Sequence, residues 1–180
     1  MYLNIITPCS RPENLIKISE SINIPRSNYR WIVVFDSLYL PDKDLIPMNC
    51  EIYTHKDEMS ISGNAQRNFA LNLIKEGYVY FNDDDTLIHV DLWENIKNLK
   101  NDFISFKQLN KNGTLRLEGN NIKVCEIDSH NFIVENSIIY NNIFILNNYA
   151  ADGLFAEACF KNSKSYIYLN KELSIYNILR

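Results

Sequence analysis

Nothing in these 180 residues is long and apolar enough to cross a bilayer. Residues Met1 to Ile6 carry no basic segment and already read as a strand, so no secretory leader is expected. Cysteine is sparse: Cys9, Cys50, Cys125 and Cys159 lie far apart, with no CxxC pair and no Cys/His cluster. The simplest reading is reduced core thiols in a cytoplasmic protein. Positive charge is also short. Eighteen Lys and Arg stand against 22 Asp and Glu, a net charge of -4, which argues against a nucleic-acid partner or an anionic membrane surface. There is no repeat, no Pro/Gly/Ser linker and no charged tail.

What is present is a 46% apolar chain of a size that suits one domain with a real core, residues 1–180. Leu3 to Thr7 form a short apolar strand that Pro8 is expected to end. Ser10-Arg11-Pro12-Glu13 has the form of a capping box with proline in the first turn, and Leu15, Ile18 and Ile22 give the helix it opens an apolar face. Trp31 to Phe35 and Glu51 to Thr54 read as strands two and three. A helix follows from Gly63-Asn64 through Lys75, with Ala65, Phe69, Ala70, Leu73 and Ile74 buried and Gly77 as its stop. Tyr78 to Phe81 is then a strand buried on both faces. This succession predicts an α/β fold with a mostly parallel central sheet.

A further helix starts near Asp91. Beyond residue 100 the pattern changes, and Phe103 to Phe106, Thr114 to Leu117, Ile122 to Val124 and Phe132 to Val134 are short runs between Asn/Gly turns, pointing to a small mixed or antiparallel region. A last helix begins near Asp152, with Ala151, Leu154, Phe155, Ala158 and Cys159 on one face. Tyr166 to Tyr168 and Ser174 to Asn177 are expected as two closing strands.

Polar residues gather where the strands end. Thr7-Pro8 closes strand one, Asp36 closes strand two, and Asp83-Asp84-Asp85 follow the strand Tyr78 to Phe81 directly. Ligands of open α/β sheets bind at that carboxyl edge, and clustered carboxylates there suit a divalent cation carrying a phosphorylated ligand. An acidic, solvated turn has the same appearance. Arg67, on the helix opened by Gly63, can reach such a cleft or lie on the surface. Asp152 is placed for N-capping or for work as a general base, and Glu157, off the apolar face of the same helix, is the alternative base. His89 and His130 read as packing or hydrogen-bonding groups, and His55 lies in a loop.

In order, Ile6-Thr7-Pro8 with Arg11-Pro12, Trp31 to Asp36-Ser37, Gln66-Arg67-Asn68 to Leu71, and Val79 to Asp85 resemble the GT-A glycosyltransferases. The layout is that of the family-two enzymes, and the motifs are similar to those of the β-1,3-glucuronyltransferases. The likeness covers residues 1–100, the nucleotide-sugar-binding half. Over 101–180, the acceptor-side half, it is looser, with Ile127-Asp128 and Phe132 to Val134 similar to the acceptor-side strand.

The resemblance implies a metal-dependent, inverting glycosyltransferase taking a sugar from a nucleotide sugar, UDP-linked by this pattern, to a glycan or other hydroxyl acceptor. Asp85 would ligate Mn2+ (or Mg2+), Asp84 would bond the ribose, and Asp83 would support them. Asp36 would hold the uracil edge, Thr7 and Pro8 would line the base pocket, and Arg11 and Arg67 would approach the donor. Asp152 would be the base. The chain is shorter than most such enzymes, so acceptor elements are pared down or come from another subunit. Two other readings stand beside this one: a sugar-1-phosphate nucleotidyltransferase, although Thr7 to Pro12 lacks the glycine-rich phosphate loop, and a catalytically silent binding module of the same fold.

Overall fold

Four runs rich in β-branched and aromatic residues become the parallel half of the sheet, as such composition favours when both faces are covered. In the computed structural model, which describes residues 1–180, these are β1 (Leu3–Cys9), β2 (Tyr29–Phe35), β3 (Glu51–Thr54) and β4 (Tyr78–Phe81). The sheet has eight strands, with β3-β2-β1-β4 at one end, all parallel. β1 does not stop at Pro8 as expected but continues to Cys9, with Pro8 beside Val34 of β2. The physical reason lies in the pairing. Ile6 offers its carbonyl towards β4, to Asn82, and Cys9 offers its carbonyl towards β2, to Asp36. Pro8 shares the phase of Ile6, so its missing N–H lies on the β4 side, beyond the last paired residue of β4.

The helices of this half are short. Proline at the first turn opens a 3-10 turn, Pro12–Asn14, before α1 (Leu15–Ser21), and the residue in the cap position is Arg11, with no side-chain cap. The expected Ser10/Glu13 capping box is therefore not formed, because Ser10 is held elsewhere. α2 (Asn64–Leu71) ends a turn before Lys75, and α3 (Leu92–Ile96) follows β4.

The second half adds β5 (Phe103–Asn110), β6 (Leu115–Leu117), β7 (Phe132–Glu135), α4 (Asn136–Ile139), α5 (Ala151–Asn162) and β8 (Tyr166–Tyr176). β7 inserts antiparallel between β4 and β5 and so joins the halves in one sheet. The two expected closing strands are one, β8, which runs parallel to β5 across a bulge near Lys107. Ile122 to Val124 is not a strand. It is wedged under α5, where Val124 N donates to Glu157 Oε1 at 2.8 Å.

Alternation along each strand sorts the core onto two faces. Ile5, Trp31, Val33, Tyr80 and Ile104 pack with α1 and α3, whereas Ile6, Ile32, Val34, Phe81 and Phe132 pack with α2, α4 and α5. Helices thus cover both faces, and the open carboxyl edge is left for polar side chains.

Candidate functional site

The carboxyl ends of β1, β2 and β4, the start of α2 and the start of α5 surround a cavity of about 570 Å3. Only three of its 22 lining residues are hydrophobic, while four arginines, six aspartates and His130 face it, so its natural occupant is polar and charged. Pro8, Arg11, Asp36, Arg67, Asp83, Asp84, Asp85 and Asp152 all line it. Of the residues expected there, Thr7 and Glu157 do not. Thr7 is fully buried with its hydroxyl accepting from Trp31 Nε1 at 2.9 Å, because odd-numbered side chains of β1 face the α1 side. Glu157 is turned towards Val124 N.

Adjacent in sequence, the three aspartates have different surroundings. Asp84 is a latch between chain segments: it accepts from Ser10 N at 2.6 Å, Ser10 Oγ at 3.0 Å, Arg11 N at 2.8 Å and Arg11 Nε at 3.1 Å. Burial raises its pKa and these donors oppose the rise. Its side chain is 4% exposed, that of Asp85 3%, and that of Asp83 26%. Of the three, Asp83 is therefore the most open to the cavity, while the lone pairs of Asp84, the expected ribose contact, are largely taken by Ser10 and Arg11. Asp85 pairs with Arg180 Nε at 2.7 Å and Arg11 Nη1 at 3.2 Å.

Asp83 belongs to a chain of alternating charges. Arg67 Nη2 donates to it at 2.6 Å, and His130 Nε2 lies 3.2 Å from its other oxygen. His130 Nδ1 meets Asp128 Oδ1 at 2.7 Å, and Arg116 Nη1 lies 2.8 Å from Asp128 Oδ2. Arg67 is 2% exposed and also donates to Ser62 O at 2.6 Å. Its guanidinium is thus committed mainly to holding Asp83. Desolvation would raise the pKa of Asp83, but Arg67 and His130 overcome it and hold the group at about 2. Burial would lower that of His130, yet Asp83 and Asp128 lift it well above 6.5; against this, Asp83 N donates to His130 Nε2 at 3.1 Å, a bond that only an unprotonated Nε2 accepts.

These opposite shifts fix the expected pH dependence. A raised imidazolium stabilises the fold fully below its ordinary 6.5 and ceases to do so as pH climbs through its higher folded value. The lowered Asp83 stabilises above 3.8 and loses this as pH falls towards about 2. Unfolding midpoints against pH should therefore fall off on the alkaline side, and His130→Gln should flatten that decline. An unchanged alkaline slope in His130→Gln would show that the imidazole is neutral in the fold.

Asp152 projects from the first turn of α5, but Ala150 holds the N-cap position, so its carboxylate is not used as a cap. Burial raises its pKa, Arg67 opposes the rise, and Asp128 and Asp83 add to it; the result is a stronger base than an exposed aspartate. Two glycines permit this arrangement. A Cβ on Gly153 would lie 2.6 Å from Val124 Cα, so only glycine lets α5 approach that segment. Gly63, at φ 77°, would put a Cβ 2.6 Å from Pro8 Cβ, so glycine also lets the start of α2 meet the end of β1. Asp36 is oriented by Gln66 Nε2, which donates to it at 3.1 Å and to His55 O at 2.7 Å.

Arg116, Asn177 and Arg180 line the site without having been singled out in the sequence, Gln66 and Asp128 stood there only within longer motifs, and His130 was read as a packing or hydrogen-bonding group. Only Asp128-Ser129-His130-Asn131 left a local signal, a short capping box in which Asp128 accepts from His130 N at 3.1 Å and Asn131 accepts from Asp128 N at 2.9 Å.

The fold is that of the GT-A glycosyltransferases. TarS 1-349 of S. aureus matches with a TM-score of 0.79 and 17% identity, over 97% of this chain and 60% of that one. The same protein in complex with UDP-GlcNAc gives 0.75 and 18%, over 97% and 58%. The mannosyltransferase PcManGT from Pyrobaculum calidifontis, in complex with GDP-Man and Mn2+, gives 0.72 and 12%, over 97% and 56%. The chain therefore spans about 60% or less of the length of these structures. No protein-family model matches the sequence, and a search of curated proteins finds no match.

Proposed function

We propose that this chain is a glycosyltransferase that moves a sugar from a nucleoside diphosphate sugar to a hydroxyl acceptor, with inversion. One observation carries the reading: strand ends and helix starts bring Asp36, Asp83, Asp85, two exposed-side arginines and Asp152 into one polar cavity. The structural neighbours bound to UDP-GlcNAc and GDP-Man make a nucleotide sugar the natural occupant. Asp36, held by Gln66, would accept from a base N–H, as uracil N3 offers. Asp83 would take the hydroxyl contact first expected of Asp84. Arg11 and Arg180 would face the diphosphate. The acceptor O–H would give its proton to Asp152 while its oxygen bonds to the anomeric carbon. The bond from that carbon to the phosphate oxygen breaks, and the nucleoside diphosphate leaves with the electron pair.

A divalent ion fits Asp85 with the substrate's help. Its hard carboxylate oxygens suit Mn2+ or Mg2+, and the Asn177 side-chain NH2 donates to both of them at 3.2 Å and so steadies the carboxylate. No three His, Cys, Asp or Glu side chains converge as a closed metal cage, so the diphosphate would complete the ligand set, as is common for Mg2+-type sites. When bound, the ion supplies charge neutralisation to the leaving diphosphate.

The nucleotidyltransferase alternative fares worse. The N–H groups of Ser10 and Arg11, where a phosphate loop would bind, already donate to Asp84 at 2.6 and 2.8 Å.

The deciding experiment incubates the protein with UDP- and GDP-sugars and Mn2+, with and without simple glycoside acceptors, and measures nucleoside diphosphate release. Release from one donor, lowered by EDTA, is expected. If no donor is turned over and neither UDP nor GDP binds, the proposal fails.

A further inference from the structure

The place on Asp85 where an ion would sit is partly held by the chain itself. Asp85 Oδ2 is met by Arg180 Nε at 2.7 Å and by Arg11 Nη1 at 3.2 Å. The two guanidinium groups are held differently. Arg11 is also bound to Asp84 through Nε at 3.1 Å and Nη2 at 2.9 Å, and its side chain is 31% exposed. Arg180 is 57% exposed, while its segment is pinned independently of the side chain, with Leu179 N donating to Asp85 O at 2.9 Å. The Arg180 side chain can therefore swing away into solvent without unfolding its surroundings, while the buried Asp85 carboxylate, 3% exposed, keeps Arg11 beside it.

We propose that Arg180 is a built-in cation that occupies the ion's place on Asp85 until a nucleoside diphosphate arrives, so that metal and nucleotide bind together and the ion alone binds poorly. This rests on the metal-assisted reading above and adds a binding order to it. The diphosphate is the natural trigger because it offers the guanidinium a second anion with the bidentate geometry that arginine prefers. As Arg180 turns to the phosphate oxygens, Asp85 Oδ2 loses its shorter cationic contact and keeps only Arg11 Nη1 at 3.2 Å, which opens a place for the ion, and Asn177 remains alongside. A site closed this way would not strip Mn2+ or Mg2+ from solution and hold it idle. Because linkage is reciprocal, the ion must tighten nucleotide binding by the factor by which nucleotide tightens the ion.

The test measures Mn2+ affinity directly, by the loss of the free-ion electron paramagnetic resonance signal, for wild type, Arg180→Gln and Arg180→Lys, each with and without UDP. Arg180→Gln removes the charge from an exposed side chain and should fold normally. Without UDP it should bind Mn2+ roughly 10-fold more tightly than wild type, and Arg180→Lys should stay close to wild type. With UDP present the gap between wild type and Arg180→Gln should shrink. Equal Mn2+ affinity of wild type and Arg180→Gln without UDP would overturn the inference while leaving glycosyl transfer standing. UDP binding with no Mn2+ uptake in any of the proteins would overturn both this inference and the role of the ion. Absence of UDP binding altogether would overturn the glycosyltransferase reading and this inference with it.

Discussion

Asp152→Asn should lower the rate of sugar transfer by roughly 10²–10⁴-fold, the usual contribution of a positioned general base, and leave UDP affinity nearly unchanged. The substitution keeps the size of the side chain and removes only its capacity to take a proton. Its position argues for the effect. Asp152 is free of capping duty, faces the cavity, and has a pKa raised by burial and by Asp128 and Asp83 against the pull of Arg67. The sign of the pH profile follows: activity should be lost as pH falls through a value above the ordinary 3.8, as the carboxylate protonates. Glu157→Gln, by contrast, should retain most activity, since Glu157 Oε1 holds Val124 N at 2.8 Å. If Glu157→Gln loses turnover and Asp152→Asn does not, the base has been misassigned. If Asp152→Asn also loses UDP binding, its role is structural.

Arg67→Met should cost about 3–5 kcal/mol of stability, the range for removing one partner of a buried ion pair. The guanidinium is 2% exposed and lies 2.6 Å from Asp83. Without it, Asp83 has only His130 as a cationic partner, and Ser62 O loses a donor at 2.6 Å. Methionine fills much of the volume, so the loss measured is chiefly electrostatic. Urea unfolding of Arg67→Met, Asp83→Asn and the double variant would isolate the coupling, since both single changes break one pair. Additive losses would show that the pair is not coupled and would remove Arg67 from the role of holding Asp83. UDP affinity should fall in the same variant, because Asp83 is the most open of the three adjacent carboxylates that line the cavity.

How far the chain could be read in advance depended on distance along it. Runs such as Trp31 to Phe35 and Tyr78 to Phe81 carry their strand character in their own composition, and a strand followed at once by Asp36 or by Asp83 to Asp85 places carboxylates at the carboxyl edge whatever the rest does. Arg67 and Asp152 were legible because a helix start sets the end of the cavity they can reach. Errors of element length had local physical causes too. Pro8 continues β1 because its absent N–H falls where β4 has ended, and Tyr166 to Tyr176 looked like two strands because a bulge against β5 interrupts the alternation.

The division of work among neighbouring side chains was not legible. Asp84 and Asp83 are the same residue type one position apart, and only the arrival of Ser10 and Arg11 from the end of β1 turns Asp84 inward and leaves Asp83 to Arg67 and His130. His130 joins the site from 47 positions away, and Arg180 reaches Asp85 from the far end of β8. Periodicity and strand composition act over a few residues, and they settled the α/β layout and the edge at which the carboxylates gather. Which lone pairs are already taken, which cation stands beside each aspartate and how far each pKa moves depend on groups brought within about 3 Å by the assembled sheet and its loops, and those the tertiary structure alone decided.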